Sequence, residues 1–328
     1  MDTARSGEDD GLSVTALGTG ASALDNGRAS VGYVVHVDEE PRLLVDAGGG
    51  TAGRLSDARI DLTALDAVLL GHLHIDHTAD LPAIVKAAYQ QGRGDRPLEV
   101  YGPAGNAAQP GTEAWISTLF DAESGAYGYL SDFVERYADG ELSHPTTEID
   151  AVAGRDDAVT RVYDRDGVTV DAIPVVHGRV PTLAYRVAAN GASITFSGDY
   201  AAETDNVARL ADGSDVLVQH RLLEAGADGP KTELHPLPEE VGRIARDAGV
   251  GTLAVSHVGR DDREALESAL ETVREAFDGR IVVLDDLVDI APDGTVLETQ
   301  EIRETGSGSG ASRRRSEAFV FAGERSDS

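Results

Sequence analysis

The sequence predicts an α/β fold of two β-sheets flanked by helices, and three observations lead there. Short β-branched runs crowd the start of each half of the chain. Helical patterns fall between the later runs. Several runs end in a histidine or aspartate, as strands do when they deliver side chains to a common edge. With 328 residues, 41% of them apolar, the chain can fill a sizeable core.

Taken in order, residues 1–11 read as a disordered acidic leader without the apolar stretch of a secretory signal. "LSVTALG", "VGYVVHV" and "RLLVDAG" are strands bounded by Gly, Asp and Pro. "GGTAGRLSDA" begins a helix, and "LDAVLLGH" is a buried strand. "TADLPAIVKAAYQQ" has helical spacing, with Thr78 as its N-cap. "LEVYG" is a strand, and residues 110–140 are helical and partly irregular. The second half repeats the style with strands "GVTVDAIPVV", "LAYRVAA", "SITFSGD" and "DVLVQH", and a helix "AAETDNVARLA" between the last two. Helix "LPEEVGRIARDAG", strand "TLAVSHV", helix "DREALESALETVREAFDG" and strand "IVVLDD" follow. Ala265, Leu266, Ala269, Leu270, Val273, Ala276 and Phe277 make one apolar stripe on the last helix. The folded unit spans residues 12–300, and 301–328 is a flexible Gly/Ser tail containing "RRR".

Composition narrows the chemistry. There is no cysteine, so disulfides and thiolate metal sites are excluded, and a transition metal must be held by His and carboxylate. No run of about 18 apolar residues occurs, so no membrane span is expected, and a cytoplasmic location follows. Asp and Glu number 58 against 28 basic residues, of which only Lys86 and Lys231 are lysines. Because the acidic bias runs along the whole chain, it reads as a solvated coat adapted to high salt rather than as a substrate-steering patch.

The densest chemistry lies in "LLGHLHIDHTAD", Leu69 to Asp80. With nine histidines in the chain, H-x-H-x-x-H arises by chance with a probability of roughly 0.006. On an extended strand end His72 and His74 point the same way. After a turn, Asp76 and His77 face the same cavity from the other side. His177, Asp199 and His257 end later strands and complete a set of nitrogen and oxygen donors. The blander alternatives are a surface histidine cluster and an Asp199 that caps a helix.

The chain resembles the metallo-β-lactamase superfamily, and this resemblance implies a four-layer αββα sandwich. The motifs match in order: Asp46 in "LLVDAG", then His72, His74, Asp76 and His77, then His177, Asp199 and His257. "IPVVHGRVPTLAYRV" and "LGTGASALDNGRASVGYVV" are similar to the ribonuclease Z and arylsulfatase-like branch. The resemblance implies that His72, His74 and His177 hold one divalent ion. It implies that Asp76, His77 and His257 hold a second and that Asp199 bridges the two. Asp46 would anchor the ligand loop from behind. Zn²⁺ is the first expectation, and Mn²⁺ or Fe²⁺ would fit too. Such a pair serves hydrolysis of a phosphoester, sulfate ester or acyl bond, with Asp76 as ligand and proton acceptor.

Two departures from ribonuclease Z bear on the substrate. Its His-Glu-Ala-Thr segment is matched by "QHRL", which puts His220 at the Glu position as a candidate acid. Its long tRNA-gripping arm is matched by only 14 residues from Tyr185 to Asp199, enough for a hairpin. His235, ahead of a helix, is expected to support the pocket. Trp115, Phe120, Tyr127, Tyr129 and Phe133 form either a pocket wall or ordinary helix packing. The leading expectation is a homodimeric hydrolase of a small ester, phosphodiester or sulfate ester, with nucleic acid a less favoured partner. The rivals are tRNA 3′-end processing and a metal-binding protein without turnover.

Overall fold

The computed structural model describes residues 11–23, 26–92, 96, 98–131, 146–154, 157–259, 263–298 and 319–320. The leader before Gly11, most of the tail and Phe133 lie outside them.

Period-two alternation of β-branched residues builds the strands. In β9 (Val180–Ala189), Leu183, Tyr185, Val187 and Ala189 turn toward one core, and Ala184 turns toward another. The first sheet runs β15-β14-β1-β2-β3-β4-β5-β6. Its members are β1 (Leu12–Gly18), β2 (Gly32–Val37), β3 (Glu40–Val45), β4 (Ala67–Leu69), β5 (Glu99–Pro103), β6 (Thr146–Ile149), β14 (Val288–Ile290) and β15 (Val296–Glu298). The second runs β16-β13-β12-β11-β10-β9-β8-β7. It contains β7 (Thr160–Arg165), β8 (Val168–His177), β10 (Ala192–Phe196), β11 (Val216–His220), β12 (Thr252–Ser256), β13 (Arg280–Val283) and β16 (Phe319–Val320) besides β9.

The two sheets face each other across a dry core in which Val14, Tyr33, Val35 and Leu43 meet Val170, Tyr185, Phe196 and Val218. Outside the first sheet pack α1 (Thr51–Asp57), α3 (Leu81–Gln90) and α4 (Thr112–Phe120), through Leu55, Ile84, Val85 and Ile116. Outside the second pack α5 (Asn206–Leu210), α6 (Pro238–Asp247) and α7 (Arg263–Arg274), through Val207, Ile244, Leu270 and Val273. This is the αββα sandwich. A single turn, α2 (Ile75–Thr78), carries part of the histidine block.

Several local expectations change. Thr78 lies inside α2 and donates its hydroxyl back to the His74 carbonyl at 3.0 Å, so it caps nothing. Asp80 stands at the N-cap of α3, and its carboxylate accepts from the backbone of Gly50 and Ala52 instead. The aromatic stretch divides: Phe120 is buried and Trp115 packs on the same core, whereas Tyr129 is 66% exposed. Among the described residues no helix is long and apolar enough to cross a membrane.

Phe196 is fully buried between the sheets, with its ring 5.3 Å from that of Tyr33. Phe196→Ala should cost about 3–5 kcal/mol in chemical denaturation, because the rigid sheets on either side cannot collapse into the void.

Candidate metal centre

Strand direction gathers the site. β3 and β4 are parallel, as are β10, β11 and β12, and β8 shares the direction of β10 because both oppose β9. Their C-terminal ends therefore meet at one edge, where open α/β sheets place ligands. Asp46 follows β3, and His72 to His77 link β4 to α2. His177 ends β8, Asp199 follows β10, His220 ends β11 and His257 follows β12.

The backbone there is strained. Asp46, Arg221 and His257 sit at φ of 57°, 52° and 53°, each costing on the order of 1–3 kcal/mol. Cross-strand hydrogen bonds hold two of them, Asp46 N to Leu69 O at 2.9 Å and Arg221 N to Ser256 O at 3.1 Å. Gly198, at φ 60°, lets the chain swing Asp199 inward, and a Cβ there would run into the Leu183 carbonyl.

Two groups of donors result. His72, His74 and His177 each aim a ring nitrogen at one point, with His72 Nε2 2.8 Å from His74 Nδ1. Asp76, His77 and His257 form the second group, with His77 Nε2 3.2 Å from His257 Nε2 and His257 Nε2 3.4 Å from Asp76 Oδ2. Asp199 Oδ2 stands between them, 3.5 Å from His257 Nε2, 3.7 Å from His77 Nε2 and 3.9 Å from His177 Nε2. The outer nitrogens are tied back. His77 Nδ1 donates to Asp46 Oδ2 at 2.8 Å, and His177 Nδ1 donates to Leu234 O at 2.9 Å. Both rings thus turn Nε2 inward.

The electrostatics follow from burial and from the carboxylates. Burial opposes a charge on His77, but Asp46 and Asp199 outweigh it and raise its pKa well above the usual value. Burial, reinforced by repulsion from His77, lowers His72. Burial pushes Asp76 up, yet the hydrogen bond from His257 and the field of His77 win and hold it at about 2. Asp199 is likewise depressed by His257 and His77 against its burial. The site is thus a nest of ionised carboxylates among mostly neutral imidazoles.

Of the remaining expected residues, His220 is buried, its Nδ1 3.4 Å from Asp199 Oδ1, and its ring stacks on His257. It does not line the cavity that opens over the site, so it reaches Asp199 rather than the substrate face. Gln219 points the opposite way, accepting from Tyr200 Oη and donating to the carbonyls of His220 and Arg221. His235 does line the cavity, its ring 5.3 Å from that of His177, and burial pushes it down to about 3. None of the aromatic residues Trp115, Phe120, Tyr127 and Tyr129 lines it.

Supports that the motifs did not announce come from polar anchors. Tyr185 Oη donates to Leu70 O at 2.9 Å, just ahead of the histidine block. Tyr33 Oη donates to Ser256 Oγ at 2.6 Å, beside His257. Asn26 Nδ2 donates to the carbonyls of Val258 and Gly259. A Tyr at alternate positions of a core strand signals such a role only once its cross-sheet partner is known.

Residues 41–258 match the family described as Beta-lactamase superfamily domain. The chain belongs to the β-lactamase superfamily. Among its relatives, ribonuclease Z of Mycobacterium bovis is 31% identical over 291 residues, covering 84% of this chain and 96% of that protein. The metallo-β-lactamase fold protein YhfI of Bacillus subtilis superposes with a TM-score of 0.62 at 22% identity, covering 88% of this chain and all of that one. The short form of human tRNase Z gives 0.58 at 22% identity, covering 85% and 98%. This superfamily member is a hydrolase, and its His/Asp clusters are of a kind that can hold divalent ions.

Gly198→Ala combines a left-handed backbone with a steric clash, so it should destabilise the fold by at least about 1 kcal/mol in thermal unfolding.

Proposed function

We propose that this chain is a dinuclear metal-dependent phosphodiesterase of the ribonuclease Z type, acting on RNA. The observation that carries the reading is the position of Asp199 Oδ2, within 3.9 Å of nitrogens in both donor groups.

The residues fit a pair of divalent ions. Asp199 Oδ1 is buried without a hydrogen-bond partner, and the inward nitrogens of His72 and His74, and of His77 and His257, face one another rather than protein acceptors. Buried polar atoms left unpaired cost about 1–3 kcal/mol each. Imidazole and carboxylate donors without thiolate suit Zn²⁺ best and accommodate Mn²⁺ or Fe²⁺. His72, His74 and His177 would hold one ion, Asp76, His77 and His257 the other, and Asp199 both. When bound, such a pair supplies a water nucleophile near neutral pH and neutralises charge on the phosphoryl oxygens. Asp46 fixes the tautomer of His77, and His220 steadies Asp199 from the buried side. Asp76, ionised and half-buried at the cavity edge, accepts a hydrogen bond from the attacking group. His235 presents its imidazole to the leaving oxygen.

The ribonuclease Z relative supports RNA over a small ester. That relative aligns over 291 residues, covering 84% of this chain and 96% of its own length. The β9–β10 connection, by contrast, is short. A second reading, a small phosphodiester, is favoured by that same connection. Asn190 and Gly191 alone join the strands, both at positive φ as in a tight hairpin turn, and leave nothing to grip a tRNA.

Precursor tRNA with a 3′ trailer, incubated with the Zn²⁺- or Mn²⁺-loaded protein in multimolar KCl, should be cut endonucleolytically, and EDTA should stop the cut. Uncut tRNA beside rapid hydrolysis of bis(p-nitrophenyl) phosphate would replace RNA with a small diester. Hydrolysis of neither would overturn the phosphodiesterase reading. Asp199→Ala should lose at least about 100-fold in kcat/KM together with metal content, as expected when both ions lose a shared ligand. Asp46→Asn should weaken metal binding about 10–100-fold in chelator competition.

A further inference from the structure

The cavity over the donor groups holds about 660 Å³, more than a single dialkyl phosphate fills. Its walls contain Asp76, Asp199 and Glu224, and also two cations, Arg221 and Lys231. In a chain of net charge −30 with only two lysines, placing one of them beside an arginine in this cavity relaxes the global acidic bias locally, to two cations against three carboxylates.

Arg221 is the more telling of the two. It is half-buried, yet its side chain makes no hydrogen bond or ion pair among the described residues, and its Nε is buried without a partner. Its backbone is held at φ 52°, a strained conformation for arginine. Room for the guanidinium is made at Gly259, where a Cβ would overlap its terminal nitrogens. Asp199, Glu224 and Asp76 are close enough for their fields to act on it, while burial lowers its pKa. A half-buried guanidinium without a partner is costly unless a ligand supplies one. Its planar fork of N–H donors matches phosphate oxygens in pairs. Lys231, exposed in the turn Gly229–Glu233, adds a second positive charge to the same cavity.

We propose that Arg221 and Lys231 form an anion subsite that binds the phosphate neighbouring the scissile one, so that the preferred substrate is a phosphodiester carrying a second phosphate. This deepens the phosphodiesterase reading and rests on it for the scissile bond.

The test has two arms. In the first, EDTA-treated full-length protein in molar KCl is titrated with inorganic phosphate by calorimetry. Wild type should bind, Arg221→Gln should bind at least about fivefold more weakly, and Gly259→Ala, which displaces the guanidinium, should follow it. In the second, the metal-loaded enzyme is given the p-nitrophenyl ester of thymidine 5′-phosphate with and without a 3′-phosphate. Wild type should favour the doubly phosphorylated ester, and Arg221→Gln should cut the ratio of the two kcat/KM values about tenfold, with Arg221→Lys retaining part of it. Absent phosphate binding, equal binding by wild type and Arg221→Gln, or an unchanged ratio would overturn the subsite. Arg221-dependent phosphate binding without hydrolysis of either ester would sustain the subsite and refute the phosphodiesterase reading.

Discussion

The buried carboxylate of Asp199 is the constraint around which this molecule is arranged. It is 3% exposed, and such a charge persists in a protein interior only if positive charge or strong donors surround it. Two unit charges about 4 Å apart attract by about 4 kcal/mol at the effective dielectric of a protein, enough to offset much of the burial of both. The direction of the shifts agrees: His77, facing Asp46 and Asp199 together, is drawn toward its charged form despite complete burial, whereas burial, with repulsion from His77, drives His72 neutral. The charge on His77 does not balance the ionised carboxylates of Asp76 and Asp199. The donor geometry matches the missing charge to divalent cations.

Holding so many polar groups at one point demands a rigid frame, and the sandwich provides it in two ways. Parallel strands from both sheets end at the same edge, so side chains distant in sequence converge without long loops. Hydrogen bonds then cross between the sheets: Tyr185 reaches Leu70 from the second sheet, and Tyr33 reaches Ser256 from the first. A further clamp closes the rim. Asp286 accepts from Thr19, Ala29 and Arg54, which ties Thr19 and Ala29 to one carboxylate, and Asn26 grips the carbonyls after His257. Strain at Asp46, Arg221 and His257 is tolerated because the surrounding frame overdetermines those positions.

The layer architecture was readable from the residues, and the candidate donors stood out there because histidine is scarce in this chain and recurs at strand ends. The reading stopped where placement depends on partners distant in sequence. β14 and β15, three residues each, are too short to show a period; pairing with β1 creates β14, and β15 then pairs with β14. Thr78 satisfies every local rule for an N-cap, but the histidine block consumes it in a turn of its own. Gln219 and His220 alternate along β11, and only the facing sheet reveals that His220 points into the interior while His235 meets the cavity. Arg221 carries no motif, because its meaning lies in the space that Gly259 leaves for it.

The acidic surface and the cavity lined by Arg221 and Lys231 thus pull in opposite directions: the coat repels polyanions at low salt, and the cavity accepts an anionic group at close range. High salt screens the first far more than the second, since about 3 Å is the Debye length at molar ionic strength and the cavity is partly desolvated. The central claim, that one buried carboxylate organises two cation positions, is tested most directly by anomalous diffraction from crystals of the Zn²⁺-loaded protein. Two anomalous peaks about 3.5–4 Å apart, each within coordination distance of Asp199, are the predicted result. A single peak, or two peaks of which only one touches Asp199, would contradict it.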